Sequence, residues 1–411
     1  MKFEVIKRSH VKRNILISVL VVLILTAIIL TFTKAKYKIT KSLPLVNGTI
    51  NYELSDFNLI GAYIQEGDNY IQVNEIPTSG YEFNAEKSYC TVNDENINAT
   101  LNYDMETQNL TITPLTTKGT KCYLYFDEKA SGGDYILAGD NPPTNSTTDW
   151  TGGTSYYYTG NPNNWVQFGG FWWRIIRING DGTIRMIYQG TSANTIGTGT
   201  QIGTSAFNSS YNNNMYAGYM YGSNSSDYNT THANTNPSII KGILDQWYQQ
   251  NLADDADYVD VNAGFCGDRR VSSGTGTGTS TTDYQPYTRM NNSSPSISCE
   301  AADIYTTMDS STGNKALTQP IGLISADEAM FAGIPNWNSS NSNNYLDTRQ
   351  YYWTMSPSNF NTGSGTRVFY VQSGGRLSSE RVNNTTGVRP VINLRADVSL
   401  TGSGTTTDPY K

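Results

Sequence analysis

Histidine is nearly absent from this 411-residue chain, which carries His10 and His232 alone. A Ser-His-Asp or Cys-His enzyme would therefore hang on one residue in a Thr and Asn-rich loop, and a zinc site would lack ligands. Close cysteine pairs are missing as well: the four cysteines stand at 90, 122, 266 and 299. Charge is scarce, with Asp, Glu, Lys and Arg making up 15% of the residues. No Walker or dinucleotide-binding glycine pattern occurs, and the Gly-Thr repeat after Val271 has the composition of a loop. Long apolar runs are limited to one, Ile15 to Phe32.

What is abundant is uncharged polarity: Asn, Ser, Thr, 37 Gly and 29 Tyr. Hydrogen-bonding side chains without charge carry the solubility, a habit of secreted and cell-surface β proteins. The net charge of -7 hides an asymmetry. Residues 1–41 hold nine Lys or Arg and the single acid Glu4, so 19 basic and 34 acidic side chains follow. An ectodomain this acidic is a poor partner for nucleic acid, whose phosphates need clustered cations, and no nucleic-acid partner is expected.

The Ile15 to Phe32 run is 18 residues without charge, long enough at about 1.5 Å per residue to cross most of a bilayer core. It reads as a transmembrane anchor. The alternative is a cleaved signal peptide, against which stand the length of the run and the weak cleavage sequence Thr33 to Lys38. Basic residues flank it almost equally, Lys2, Lys7, Arg8, Lys12 and Arg13 before and Lys34, Lys36, Lys38 and Lys41 after, so the positive-inside rule does not decide orientation. The cysteines point outward, because all four follow the anchor and pair economically as Cys90–Cys122 and Cys266–Cys299. Each bridge would close a loop of about 32 residues, worth roughly 3 to 4 kcal/mol on the chain-entropy model. Four buried free thiols are the other reading. A single-pass protein of the cell membrane with its C-terminal part extracellular is expected.

The expected fold class is α+β, mostly β: an N-terminal transmembrane helix, a small β-sandwich, then a larger module with two flanking helices. The boundaries read as a cytoplasmic tail at 1–14, the anchor at 15–32, a β-sandwich stalk at 40–130, a linker at 131–164, a head at 165–398 and a frayed tail at 399–411. The stalk is read from short alternating runs that begin at Gly48, Asn69, Ala99, Asn109 and Lys121, separated by turn residues. The head opens on the clearest hairpin, Phe171 to Gly190, two β-rich runs joined at Asn179-Gly180-Asp181-Gly182. Strict alternation puts Trp172, Arg174, Ile176 and Ile178 on one face and Trp173, Ile175 and Arg177 on the other. Asp181 invites calcium, but the spacing is not that of an EF-hand and a tight turn explains it; no cofactor is expected.

A helix is expected over 237–252, with Asn236 as N-cap and Pro237 at the first position. A second, shorter one begins at Ser325, where Ser-Ala-Asp-Glu328 forms a capping box. Between them the Gly-Thr loop reads as a floppy insertion pinned by the second cysteine couple. Asp254, Asp255, Asp257 and Asp260 are the acids from which a glycosidase pair would be drawn, though acids at a helix exit are ordinarily solvated.

Five ordered blocks carry a resemblance: Gly170 to Gly190, Asn262 to Arg269, Pro320 to Ala329, Tyr351 to Pro357 and Gly387 to Leu394. Together they resemble a widespread family of Firmicutes surface proteins whose C-terminal module is C-type lectin-like, similar to the formylglycine-generating-enzyme-like fold. The resemblance covers about residues 160 to 400. It implies that the segment from Ser358 to Thr386 displays side chains to ligand, with Asn359, Phe360, Asn361, Arg367, Tyr370, Gln372, Arg376, Arg381, Asn383 and Asn384 as the outward set. Trp353 and Arg389 would be scaffold, the arginine satisfying a carboxylate or carbonyls. Neither the copper-binding cysteine pattern of the oxidase nor a lectin calcium signature is present, so neither chemistry is carried over. The expectation is a membrane-anchored adhesin or receptor for a glycan or surface protein. A glycan-acting enzyme and a self-associating envelope protein are its rivals.

Overall fold

The computed structural model describes residues 57–77, 80–105, 107–114, 119–310 and 313–411. The expected anchor and the first expected strand, from Gly48, lie outside them. Among the described residues no helix is long and apolar enough to cross a membrane. The described residues divide into two compact units, one before and one after the Glu128–Lys129 boundary, and strands are the main regular element of both.

The first unit is a five-stranded sheet in the order Asn69–Val73, Phe57–Glu66, Thr120–Glu128, Tyr81–Val92, Glu95–Ile97. A separate hairpin, Thr100–Asp104 with Asn109–Thr113, lies against it. Alternation explains the packing. Along Thr120–Glu128 the side chains of Cys122, Leu124 and Phe126 are buried, and Tyr123 and Tyr125 point the other way. The inward set meets Leu101, Tyr103 and Leu110 of the hairpin, and Tyr103 stands edge-on to Phe126 at 5.5 Å. Cys90 and Cys122 are direct cross-strand neighbours and form a disulfide. On the opposite face Tyr63 stacks on Tyr125 and Tyr89 on Tyr123, each at 4.8 Å, which is the strand spacing, so the rings stand upright in rows.

The second unit has two principal sheets. One runs Val391–Leu394, Ile184–Gly190, Phe171–Ile178, Thr154–Tyr157, Asn145–Thr148, with Trp165–Phe168 also paired to Phe171–Ile178. The expected hairpin is its centre, and nearly every residue of both hairpin strands is buried. The face assignment changes, however. A register shift between Ile175 and Arg177 places Arg177 opposite Arg185, so the extra residue, Ile176, turns Arg177 to the Arg185 side. The other sheet holds Tyr352–Asn361, Gly365–Gln372 and Arg376–Arg381 as an antiparallel meander, joined by Thr385–Val388, Gly203–Ala206 and the hairpin of Val271–Ser273 with Thr282–Tyr284. The C-terminal strands thus divide: Val391–Leu394 completes the hairpin sheet, and the meander belongs to its neighbour.

Several expected boundaries move. The stretch at 131–164 is no linker. It forms the helix Gly132–Ala138, capped by Ser131 and Asp134, and two strands of the hairpin sheet. The tail at 399–411 is docked, since buried Tyr410 exchanges backbone hydrogen bonds with Trp165 and Gln167. The long helix spans Ile239–Asn251 with Ser238 as its cap, because Asn236 and Pro237 are drawn into a short bridge with Met220–Tyr221. The helix after Ser325 has the expected capping box. The Gly-Thr loop is held rather than floppy: Asn214 Nδ2 donates to the carbonyls of Thr277, Gly278 and Ser280, and His232 Nε2 bonds to Gly276 O at 2.8 Å. The Cys266–Cys299 disulfide closes that region.

Candidate functional site

Buried charge in the second unit is organised for structure. Glu328 lies between two buried arginines, 3.1 Å from Arg177 Nε and 2.5 Å from Arg185 Nε. Burial alone would raise the Glu328 carboxyl, yet the charges of Arg185 and Arg177 hold it below its usual range. Asp303 pairs with Arg269 at 2.7 Å, and Arg289 links Asp327 and Asp268 at 2.7 and 2.6 Å. Arg389 is scaffold, as expected: its guanidinium donates to Tyr188 O and Gln189 Oε1. Trp353 is fully buried and its indole donates to Ser205 O at 2.8 Å. Asp181 accepts from Thr183 N and Oγ1, the geometry of a turn cap. Asp260 likewise caps the backbone of Asn262 and Ala263. Among the described residues no group of three His, Cys, Asp or Glu is placed to hold a metal ion.

His232 is buried, and its ring is pushed down to about 3 by burial and by the neighbouring Arg269 charge, against the hydrogen bond to Gly276. It is a neutral fixture of the loop it holds.

The ten expected surface residues fall into three groups. Two are buried: Phe360 is 2% exposed and Tyr370 8% exposed. Both belong to strands that are covered on two sides, so alternation does not turn them outward. Asn361 is a turn former, its Oδ1 accepting from Gly363 N and Ser364 N. The remaining seven lie on or beside the meander.

They assemble at two ends of it rather than as one patch. At the turn between the last two strands, Arg376 Nε donates to Gln372 Oε1, and Gln372 Nε2 donates to the Tyr370 hydroxyl at 2.5 Å. The exposed ring of Tyr351 lies 5.8 Å from that of Tyr370 and completes this group. At the other end, five residues or roughly 17 Å along the strand, Arg367 pairs in register with Arg381. Asn359 is the neighbour of Arg367 on the first strand. Arg381 Nε donates to Ser364 O at 2.9 Å, and its guanidinium lies 4.5 Å above the Tyr211 ring. Asn384 donates to Glu380 Oε1 at 3.0 Å. Asn383, half-buried, adjoins them in the turn that follows Arg381.

Sequence reasoning missed Tyr211 and Tyr351. Tyr351 stands next to the first strand and was legible as a flanking aromatic. Tyr211 reaches the cluster through a backbone bond from Thr366 N to its carbonyl, a long-range contact with no local signal.

The family described as Domain of unknown function (DUF6273) matches residues 313–396, which take in the whole meander and both clusters on it apart from Tyr211. No curated protein matches the chain, and no solved structure does.

Proposed function

We propose that this chain is a membrane-anchored extracellular binding protein, adhesin-like or receptor-like, that recognises a glycan or a surface protein through the Ser358 to Thr386 surface. One observation carries the reading. The meander, with Tyr351 and Tyr211 beside it, places arginine, tyrosine and amide side chains at both ends of a sheet whose first two strands are almost wholly buried. Such side chains give large contact area and adaptable hydrogen bonding, and a fixed scaffold limits the ordering cost of binding. The two disulfides support an extracytoplasmic location, since such bonds persist in oxidising compartments.

The finer reading of the fold, a β-sandwich stalk bearing a C-type lectin-like head, has support of the same kind. The first unit is two β layers about one core. In the second, the hairpin is joined by the chain's last strand, Ile184 opposite Leu394 through Ile187 opposite Val391. The test is a screen of the full-length oxidised chain, in detergent, against glycan and surface-protein arrays with and without calcium. Specific hits are expected. A blank from folded protein would shift the account to a structural envelope role.

A further inference from the structure

We infer that the Arg367–Arg381 pair is a receptor for the anionic group of an acidic saccharide, a unit that carries a carboxylate or a sulfate. This rests on the binding reading above and names its ligand class.

Like charges directly opposite one another on neighbouring strands are unfavourable. Here two arginines occupy such a pair. The nearest acid is Glu380, whose Oε1 approaches Arg367 Nη2 only to 3.8 Å, beyond hydrogen-bond reach. Arg367 Nε is sealed from solvent without a hydrogen-bond partner. By contrast, two arginines elsewhere in the same unit are paired tightly with acids, Arg269–Asp303 and Arg289–Asp327, both at 2.7 Å. Within ion-pair range the Arg367–Arg381 site keeps a surplus of one positive charge, with Arg367 32% exposed and Asp283 two strands away in the same row, in a chain whose overall balance after residue 41 is acidic.

A planar guanidinium matches the two oxygens of a carboxylate or sulfate better than any other side chain. The neighbours fit the rest of a sugar. Asn359 and Asn384 offer amides for hydroxyl groups, and Tyr211 offers an aromatic surface already shared with Arg381. The acidic surroundings repel dense polyanions and favour a ligand with isolated charges.

The experiment measures retention of the full-length oxidised chain on immobilised hyaluronan, heparin, dextran and polyglutamate. Hyaluronan retention is expected, weakening with salt and falling at least about tenfold in Arg367→Gln and Arg381→Gln. Heparin retained where hyaluronan is not, with a response to the same substitutions, assigns the group as sulfate instead of carboxylate. Glu380→Gln is expected to strengthen retention several-fold, a gain that misfolding cannot mimic. Dextran bound as well as hyaluronan, or retention unchanged in both arginine variants, overturns the anion site and leaves the binding surface standing. Selective retention on polyglutamate overturns the saccharide assignment. Retention on none of the four overturns this inference alone, because the broader reading admits a protein ligand.

Discussion

Glu328→Gln should be among the most damaging single substitutions in the second unit. The carboxylate sits 3.1 Å from Arg177 and 2.5 Å from Arg185, both buried, and its Oε2 accepts from Ser325 N at 2.8 Å. Glutamine keeps the shape and an acceptor for the helix cap but removes the negative charge. The second carboxylate nearby, Asp149, is 4.0 Å from Arg177 and already committed to Ser155 and Thr151. Breaking a buried ion pair on one side typically costs about 3 to 5 kcal/mol. For a domain of this size that is a fall in Tm of roughly 6 to 20 °C. All seven tryptophans lie from Trp150 to Trp353, so their fluorescence during urea unfolding of the full chain reports the second unit alone. Ser325→Ala, which removes the cap and leaves the ion pairs, should cost about 1 kcal/mol and sets the scale. A loss below about 1 kcal/mol for Glu328→Gln would refute the claim that this network holds the hairpin to the helix.

Acid should weaken the second unit through His232. Its folded pKa, about 3, lies below the ordinary 6.5, so the unfolded chain takes up the proton first and stability is lost as pH falls from about 6.5 toward 3. At pH 5 the loss is about 2 kcal/mol. His232→Gln should flatten that slope in tryptophan-monitored unfolding, and an unchanged slope would contradict the buried, neutral imidazole. Replacing Cys266 and Cys299 together by serine should destabilise the second unit by about 3 to 4 kcal/mol on the loop-closure argument, read from the same urea midpoint, and a shift near zero would mean the closed loop is held by its other contacts. Tyr410→Ala should loosen the last turns of the chain, seen as faster amide exchange at Trp165 and Gln167, whose backbones it engages. Exchange no faster than in the parent chain would show that the side chain is not what docks the tail.

Much of this architecture was legible where local chemistry and long-range packing agree. The Phe171 to Gly190 hairpin follows from β-rich runs around a four-residue turn, and the helix after Ser325 from its capping box. The cysteine couples follow from spacing alone. Legibility fails where a distant partner decides. The extra residue at Ile176 turns Arg177 toward Glu328, about 150 positions away in sequence, and no local pattern announces it. Ser131 and Asp134 do form a capping box, but the two glycines between them have poor helix propensity and mask the helix that follows. The tail reads as frayed because it is small and polar, yet Tyr410 is 1% exposed. At the candidate site the residue types were legible and their directions only in part. Phe360 and Tyr370 face packed layers because both sides of the meander's first two strands are covered, which a single strand's alternation does not reveal.

The most direct test of the proposed function is the affinity of the full-length oxidised chain for a ligand from the array screen, compared among the parent, Arg376→Ala, Arg381→Ala and the remote control Arg395→Ala. The account predicts a loss of about tenfold or more in at least one of the first two, with the urea midpoint preserved and Arg395→Ala unchanged. Equal affinity in all four proteins would place the binding surface elsewhere on the molecule.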